Sequence, residues 1–275
     1  MKKFMPLIAA VVSATIFGFA MLFIKAGMAA VGQDTVKFLA FRFTIGFLVM
    51  SLLILLKVQK VSYKGKPYPL LLLCGLFNPL ISQVCETSST SYAPTAQIAI
   101  GMSVIPVVMI LLSIPLNREY PTRRQMVFMV LAVLGVIITN LGGQMQGGTT
   151  LGLLLITAMI FAVATNRVLV RRATHDFTSF EIIYATTGMG ALGFSLYTVI
   201  GHGIQGRMDE IFIGFQSPDF IIAILYMGIG SCVIGFVCMT YASANLPIAV
   251  SSTVSMLNTP ITIAVGALIL HEQLR

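Results

Sequence analysis

Read from its first residue, the chain is a series of unbroken apolar blocks separated by short polar breaks. Nine blocks stand out: 5–25, 36–56, 68–86, 94–115, 124–141, 151–170, 180–200, 219–240 and 248–270. Each is close to the roughly 20 apolar residues that an α-helix needs to cross a bilayer. A transmembrane β-barrel would instead show segments of about ten residues that alternate apolar and polar. Backbone groups in hydrocarbon must be satisfied within their own segment, so the blocks are read as helices despite their Val and Ile content. The start, Met1-Lys2-Lys3 and then an apolar run to Lys25, is read as a retained first helix, because the run is long for a signal peptide and has a counterpart later in the chain.

Composition agrees. Of 275 residues, 57% are hydrophobic and 9% are charged, and mean hydropathy is +0.95. A soluble domain averages about 25% charged residues, so a cytosolic enzyme and a disordered chain are both excluded. The net charge of +8 reads as a topology signal. With a cytoplasmic N-terminus and alternating blocks, the inner side receives Lys2, Lys3, Lys57, Lys60, Lys64, Lys66, Arg118, Arg123, Arg124, Arg167, Arg171 and Arg172. The outer side receives Lys25, Lys37, Arg207 and Arg275, and Arg42 is left inside a helix. That asymmetry follows the positive-inside rule, and the expected location is the plasma (inner) membrane, multi-pass, with a cytoplasmic N-terminus. The charges are scattered over short loops, so no nucleic-acid face is predicted. The longest outer connection, 203–218, is read as a solvated loop with a short interfacial helix at 211–215.

The chain also repeats itself. Ser13-Ala14-Thr15-Ile16-Phe17-Gly18-Phe19-Ala20 aligns with Thr157-Ala158-Met159-Ile160-Phe161-Ala162-Val163-Ala164 at a shift of 144. Pro94, Ala96 and Glu119 align with Pro247, Ala249 and Glu272, with 25 residues from Pro to Glu in each copy, and Pro106 matches Pro260 within one residue. An odd number of helices per copy turns the second copy upside down, the inverted-topology arrangement of secondary transporters. The expected architecture is therefore an all-α polytopic membrane protein of two inverted five-helix repeats, 1–143 and 150–275. This ten-helix design shows nine helices in this sequence, with the tenth expected to be missing from it.

These features resemble the EamA-type drug/metabolite transporter family. The resemblance is carried by Phe17-Gly18, by Phe41-Arg42-Phe43, and by Pro94 through Pro106 to Glu119. In the second copy it is carried by Phe161-Ala162 and by Pro247 through Pro260 to Glu272. It covers the whole chain, and the family's aromatic amino-acid exporters are the most similar branch. It implies ten helices with cytoplasmic termini. It also implies a central cavity built from the first, third and fourth helices and their repeat partners, and export or exchange of small metabolites. The Arg of the second helix has no counterpart in the second copy, where position 184 is Tyr.

Polar residues at membrane depth mark candidate chemistry, because they are costly unless they face a bundle interior or a wet cavity. Ser251, Ser255 and Asn258 share one face of the ninth block at i, i+4 and i+7. Asn78 and Ser82 do the same in the third, with Gln83 and Glu86 beside them. Gln97, Thr157 and Tyr226 complete the candidate substrate-binding set, and Asn166 and Ser231 lie in the same blocks. Hydrogen-bonded helix packing is the competing reading. Pro106 and Pro260 each leave a carbonyl without its helical donor and are candidate hinges. Arg42 is read as a structural charge that snorkels outward or pairs with Glu86, with substrate carboxylate binding as the alternative. With no carboxylate expected near any helix middle, the lining is expected to be neutral and to suit a neutral or zwitterionic solute. The leading function is alternating-access export of small metabolites, amino acids first, with a passive facilitator, or a transporter of other metabolites or drugs, as the alternative. No cofactor, metal ligand set or catalytic pair is found. Cys74, Cys85, Cys232 and Cys238 form no CxxC pair, and the three His lie at block ends or in loops, so no enzyme is predicted. The expected partners are the lipid bilayer and a small-molecule substrate, with a monomer favoured.

Overall fold

The computed structural model describes residues 4–117, 127, 149–204, 206 and 208–269. The fifth apolar block, apart from Val127, and both Glu residues of the repeat, Glu119 and Glu272, lie outside them. The described chain is helical: α1 Met5–Ala30, α2 Thr35–Leu55, α3 Tyr68–Ser89, α4 Thr95–Asn117, α5 Thr150–Ala173, α6 Ser179–Ile204, α7 Pro218–Asn245, α8 Ile248–Ser255 and α9 Asn258–Leu268. The first seven are long and apolar enough to cross a membrane. Helix starts follow the local sequence. The Asp34 carboxylate caps α2 by accepting from the Lys37 N–H at 3.0 Å, and the Thr149 hydroxyl caps α5 by accepting from Gly152 N–H at 3.1 Å. Pro6, Pro69 and Pro218 fall in the first turns of α1, α3 and α7, where no N–H is needed.

Two of the long helices are not regular. α3 contains a π-helical stretch, Leu76–Ile81, in which Asn78 has the extended backbone angles φ −146° and ψ 115° before Pro79. The residue before proline is driven out of the α region, so the Asn-Pro pair explains the break. α7 contains a longer π-helical stretch, Tyr226–Gly235, at the corresponding place in the second half. Pro106 and Pro260, the candidate hinges, sit in different local structures. α4 runs without interruption through Pro106, whereas the ninth apolar block is interrupted after Ser255 and resumes at Asn258 as α9, with Pro260 in its first turn.

Packing is two-fold in pattern. α1 lies against α9 and α7, while α5 lies against α4 and α3. α2 and α6, the second helices of the two halves, also pack along an extensive interface. Phe43 meets Phe194, Phe47 stacks on Tyr184, and the hydroxyls of Thr44 and Ser195 are 2.9 Å apart. The helix ends sort onto two faces. On one, Ser91 donates to Gln33 at 2.7 Å, Thr149 N–H donates to the Tyr92 carbonyl at 3.0 Å, and Lys37 donates to the Glu210 carbonyl at 3.3 Å. This face also carries a 3-10 helix, Met208–Gln216, longer than the expected 211–215, whose Phe212 and Phe215 join Phe41 and Phe220 in an aromatic cluster. On the other face the buried carboxylate of Glu181 gathers Lys66 at 2.7 Å, Ser62 N–H at 2.8 Å and Thr178 N–H at 2.9 Å. Burial, and next the Glu181 charge, push the Tyr63 phenol above its ordinary range, so Tyr63 stays a neutral donor to the Glu181 carbonyl.

α2 and α7 approach backbone to backbone. A Cβ on Gly46 would lie 2.9 Å from the Cβ of Cys232 and 3.0 Å from the Gly228 carbonyl oxygen. Small residues permit such contact where no hydrophobic force distinguishes helix from lipid. Gly46→Leu is therefore expected to lower the melting temperature of the detergent-purified protein by roughly 5–10 °C, from an overpacking cost of about 1–3 kcal/mol. Gly201→Ala, where nothing lies within 4 Å, is the control and is expected to leave it unchanged.

Candidate functional site

The irregular segments converge on a cavity of about 80 Å³ in the interior of the bundle. One enclosed water needs roughly 10–15 Å³ on the same measure, so the space holds several. Phe17 and Ala20 of α1 and Arg42 of α2 line it, together with Asn78, Gln83 and Glu86 of α3 and Met102, Ile105 and Pro106 of α4. From the second half come Met159, Val163, Asn166 and Arg167 of α5, Ser231, Phe236 and Met239 of α7, Ser255 of α8, and Asn258 and Thr259 of α9, with Met256 from the turn between. α6 contributes nothing to it. A smaller extension of about 10 Å³ continues past Asn78, Asn166 and Arg167 toward Thr240 and Ser243.

Arg42 organises one wall. Its side chain is fully buried, and it donates to Gln83 Oε1 at 2.6 Å and to Ser231 Oγ at 3.0 Å. Gln83 in turn donates through Nε2 to Glu86 Oε2 at 2.9 Å. The guanidinium and the carboxylate are thus joined through an amide and not by a direct ion pair. Removing either ion from a buried network of this kind is expensive, because the remaining charge is left uncompensated. Arg42 therefore does not snorkel to the surface. Its Nε has no hydrogen-bond partner.

The opposite wall is built around the break between α8 and α9. Thr262 donates toward Asn258 Oδ1 at 3.0 Å and toward the Gly18 carbonyl at 3.1 Å, tying α9 to α1. The Asn258 amide N–H groups make only a long contact, 3.8 Å, to Met102 Sδ, and are open to the cavity as donors. Ser255 is turned back to the Ser251 carbonyl at 2.8 Å. In α5, Asn166 donates to the Cys74 carbonyl at 2.8 Å, where the π-helical stretch of α3 begins.

The predicted site residues divide accordingly. Asn78, Gln83, Ser255, Asn258 and Pro106 reach the cavity, as do Arg42 and Glu86. Ser82 lies behind the wall and donates to Asn78 Oδ1 at 3.0 Å. Gln97 and Ser251 are buried outside the cavity. Tyr226 stacks on Phe23 and donates to the Ile16 carbonyl at 2.9 Å. Thr157 is exposed and returns its hydroxyl to the Leu153 carbonyl at 2.8 Å, and Pro260 is exposed. Helix-face spacing alone does not tell which of two polar faces turns inward.

Arg167, counted among the inner surface charges, instead lines the cavity and its extension. The signal was present in the periodicity: Met159, Val163 and Arg167 step by four along one face of α5. The lining is therefore not neutral, since it carries Arg42, Arg167 and Glu86. Among the described residues, no group of three or more His, Cys, Asp or Glu could hold a metal ion.

A bundle of membrane-length helices that encloses a polar cavity between its two halves is the architecture of a polytopic transport protein. The chain belongs to the EamA-like transporter family, which it matches twice, over residues 4–141 and 150–275. It is 27% identical over 269 residues to the uncharacterized transporter YcxC of Bacillus subtilis (strain 168), an alignment covering 97% of this chain and 86% of that protein. A solved structure described only as "Crystal structure of protein" aligns with a TM-score of 0.45 and 18% identity, over 94% of this chain and 97% of the other.

Gln83 is the joint of the charged wall. Gln83→Leu leaves Arg42 with one partner and Glu86 with none from Gln83, and is expected to cost about 2–4 kcal/mol. Ser231→Ala, which removes one neutral acceptor, is expected to cost about 1–2 kcal/mol. Unfolding of both variants in matched detergent checks the order.

Proposed function

We propose that this transporter exports small polar metabolites, amino acids first, across the plasma membrane by alternating access of its two halves. The observation that carries the reading is the cavity's composition. Guanidinium groups (Arg42, Arg167), a carboxylate (Glu86) and amides (Asn78, Gln83, Asn258) face one space together with Phe17, Met102, Met159 and Phe236. Fixed charges of both signs beside an apolar wall complement a zwitterion with an apolar side chain better than a lipophilic cation or a neutral sugar. Both halves of the chain supply the lining, and discontinuous helices α3, α7 and α8/α9 border it, as expected where a site lies between two bodies that rock. The face that carries Lys57, Lys60, Lys64, Lys66, Arg171 and Arg172 is assigned to the cytoplasm. The whole cavity lies within one chain, so a monomer suffices.

Counterflow in proteoliposomes tests the reading. Protein loaded with unlabelled L-leucine inside the vesicle is expected to accelerate entry of labelled L-leucine, with saturation, and Asn258→Ala is expected to reduce the rate about tenfold. Absence of counterflow across a panel of amino acids would remove the amino-acid assignment. Linear, unstimulated flux would make the protein a passive facilitator.

A further inference from the structure

The two guanidinium groups on the cavity are not equivalent. Arg42 is bound by Gln83 and Ser231 and lies next to a carboxylate through Gln83. Arg167 makes no hydrogen bond or ion pair among the described residues, and its Nε is buried without a partner. It occupies the junction of the main cavity and its extension. The other charged groups on that cavity are Arg42 and Glu86, and Glu86 already accepts from Gln83. Among the described residues the lining thus carries two guanidinium groups and one carboxylate, and Arg167 is the guanidinium without a partner there. Arg167 is half-buried with its Nε enclosed, a placement in which an anion brought into the same cavity stabilises the charge. A planar fork of donors open to a polar cavity is suited to bidentate recognition of a carboxylate.

We propose that Arg167 is the anchor for the carboxylate of the transported solute, so that the protein selects small carboxylate-bearing solutes with an apolar body. This deepens the transport reading above and rests on the cavity being the substrate site. The carboxylate of the solute would pair with the Arg167 fork at the junction of the two spaces. Phe17, Met102, Met159, Phe236 and Met239 take the apolar body, and Glu86 is left to face an ammonium group where the solute carries one.

Thermal stability of the purified full chain, with and without three probes, tests this. L-Leucine carries both charges, 4-methylpentanoate has only the carboxylate, and L-leucinamide has the ammonium without the carboxylate. L-Leucine and 4-methylpentanoate are expected to raise the melting temperature and leucinamide to leave it unchanged. Arg167→Gln is expected to weaken binding of both acids roughly 10- to 100-fold, and Arg167→Lys to recover part of the loss. Without any probe, Arg167→Gln is expected to melt about 2–4 °C higher than the native protein, because it removes a charge that has no partner among the described residues. A lower melting temperature would make Arg167 a structural residue and overturn the proposal. So would binding of leucinamide equal to that of leucine, or unchanged affinity in Arg167→Gln, even if leucine is transported. Binding of 4-methylpentanoate without leucine would keep Arg167 as the carboxylate anchor and remove amino acids as the cargo. No response to any probe would overturn both readings.

Discussion

The constraint on which this structure turns is the placement of the Arg42 guanidinium inside a helical bundle of membrane length. Hydrocarbon offers a buried cation nothing, so every helix near it must contribute to its solvation. α3 does so with Gln83, which passes the charge on to Glu86, and α7 does so with Ser231. The close approach of α2 and α7 at Gly46 and Gly228 brings Ser231 within reach. Two of the three helices that hold Arg42 carry π-helical stretches beside the contact. π-Bulges often occur at functional sites, because they rotate the helix face that follows them. Here the irregularity turns polar side chains inward over a length that a regular apolar helix would use for packing.

Around that centre the two halves pack by the same plan but not with the same chemistry. α1 and α5, the first helices of the halves, each sit against the fourth-helix equivalent of the other half. Yet Arg42 has Tyr184 as its counterpart, and Tyr184 is spent on packing against Phe47 and Ser51. The second half instead supplies Arg167 from its first helix, where the first half has Phe23 at the matching position of α1. The helix packing is thus alike in the two halves, while the cavity lining is asymmetric.

The two faces of the bundle differ as well. The face that carries Lys57, Lys60, Lys64 and Lys66 is tied by a buried acidic residue, Glu181, which fixes the loop 56–67 to the start of α6 by accepting from Ser62 N–H and Lys66, and which also accepts from Thr178 N–H beside it. Arg171 adds a second tie by donating to the carbonyls of Ser243 and Leu246 at the end of α7. The opposite face is held by hydroxyl, amide and backbone contacts and by an aromatic cluster on the 3-10 helix.

Much of the architecture was legible in the chain. Bilayer thickness and the need to satisfy backbone groups leave apolar runs of this length one solution, so the helices and their approximate ends follow from composition alone. Residues 4–141 and 150–275 each match the same family, and small residues and prolines that recur at matched spacing carry that likeness in the sequence. The cavity was only half legible. Spacing placed Asn258, Ser255, Gln83 and Asn78 on polar faces, but it could not separate them from Thr157, which turns to the exterior, or Tyr226, which bonds the backbone of α1. Arg167 read as a surface charge because it lies only six residues from the end of α5. Which way it points is decided by how α5 rotates against α3 and α4, a contact between residues far apart in the chain. The break at Asn78-Pro79 was written in the sequence as a local steric rule. That the break opens onto Arg42, and that Arg42 is held by Gln83 and Ser231 while Arg167 has no such partner among the described residues, depends on helices meeting across the bundle, and only the tertiary structure decides it.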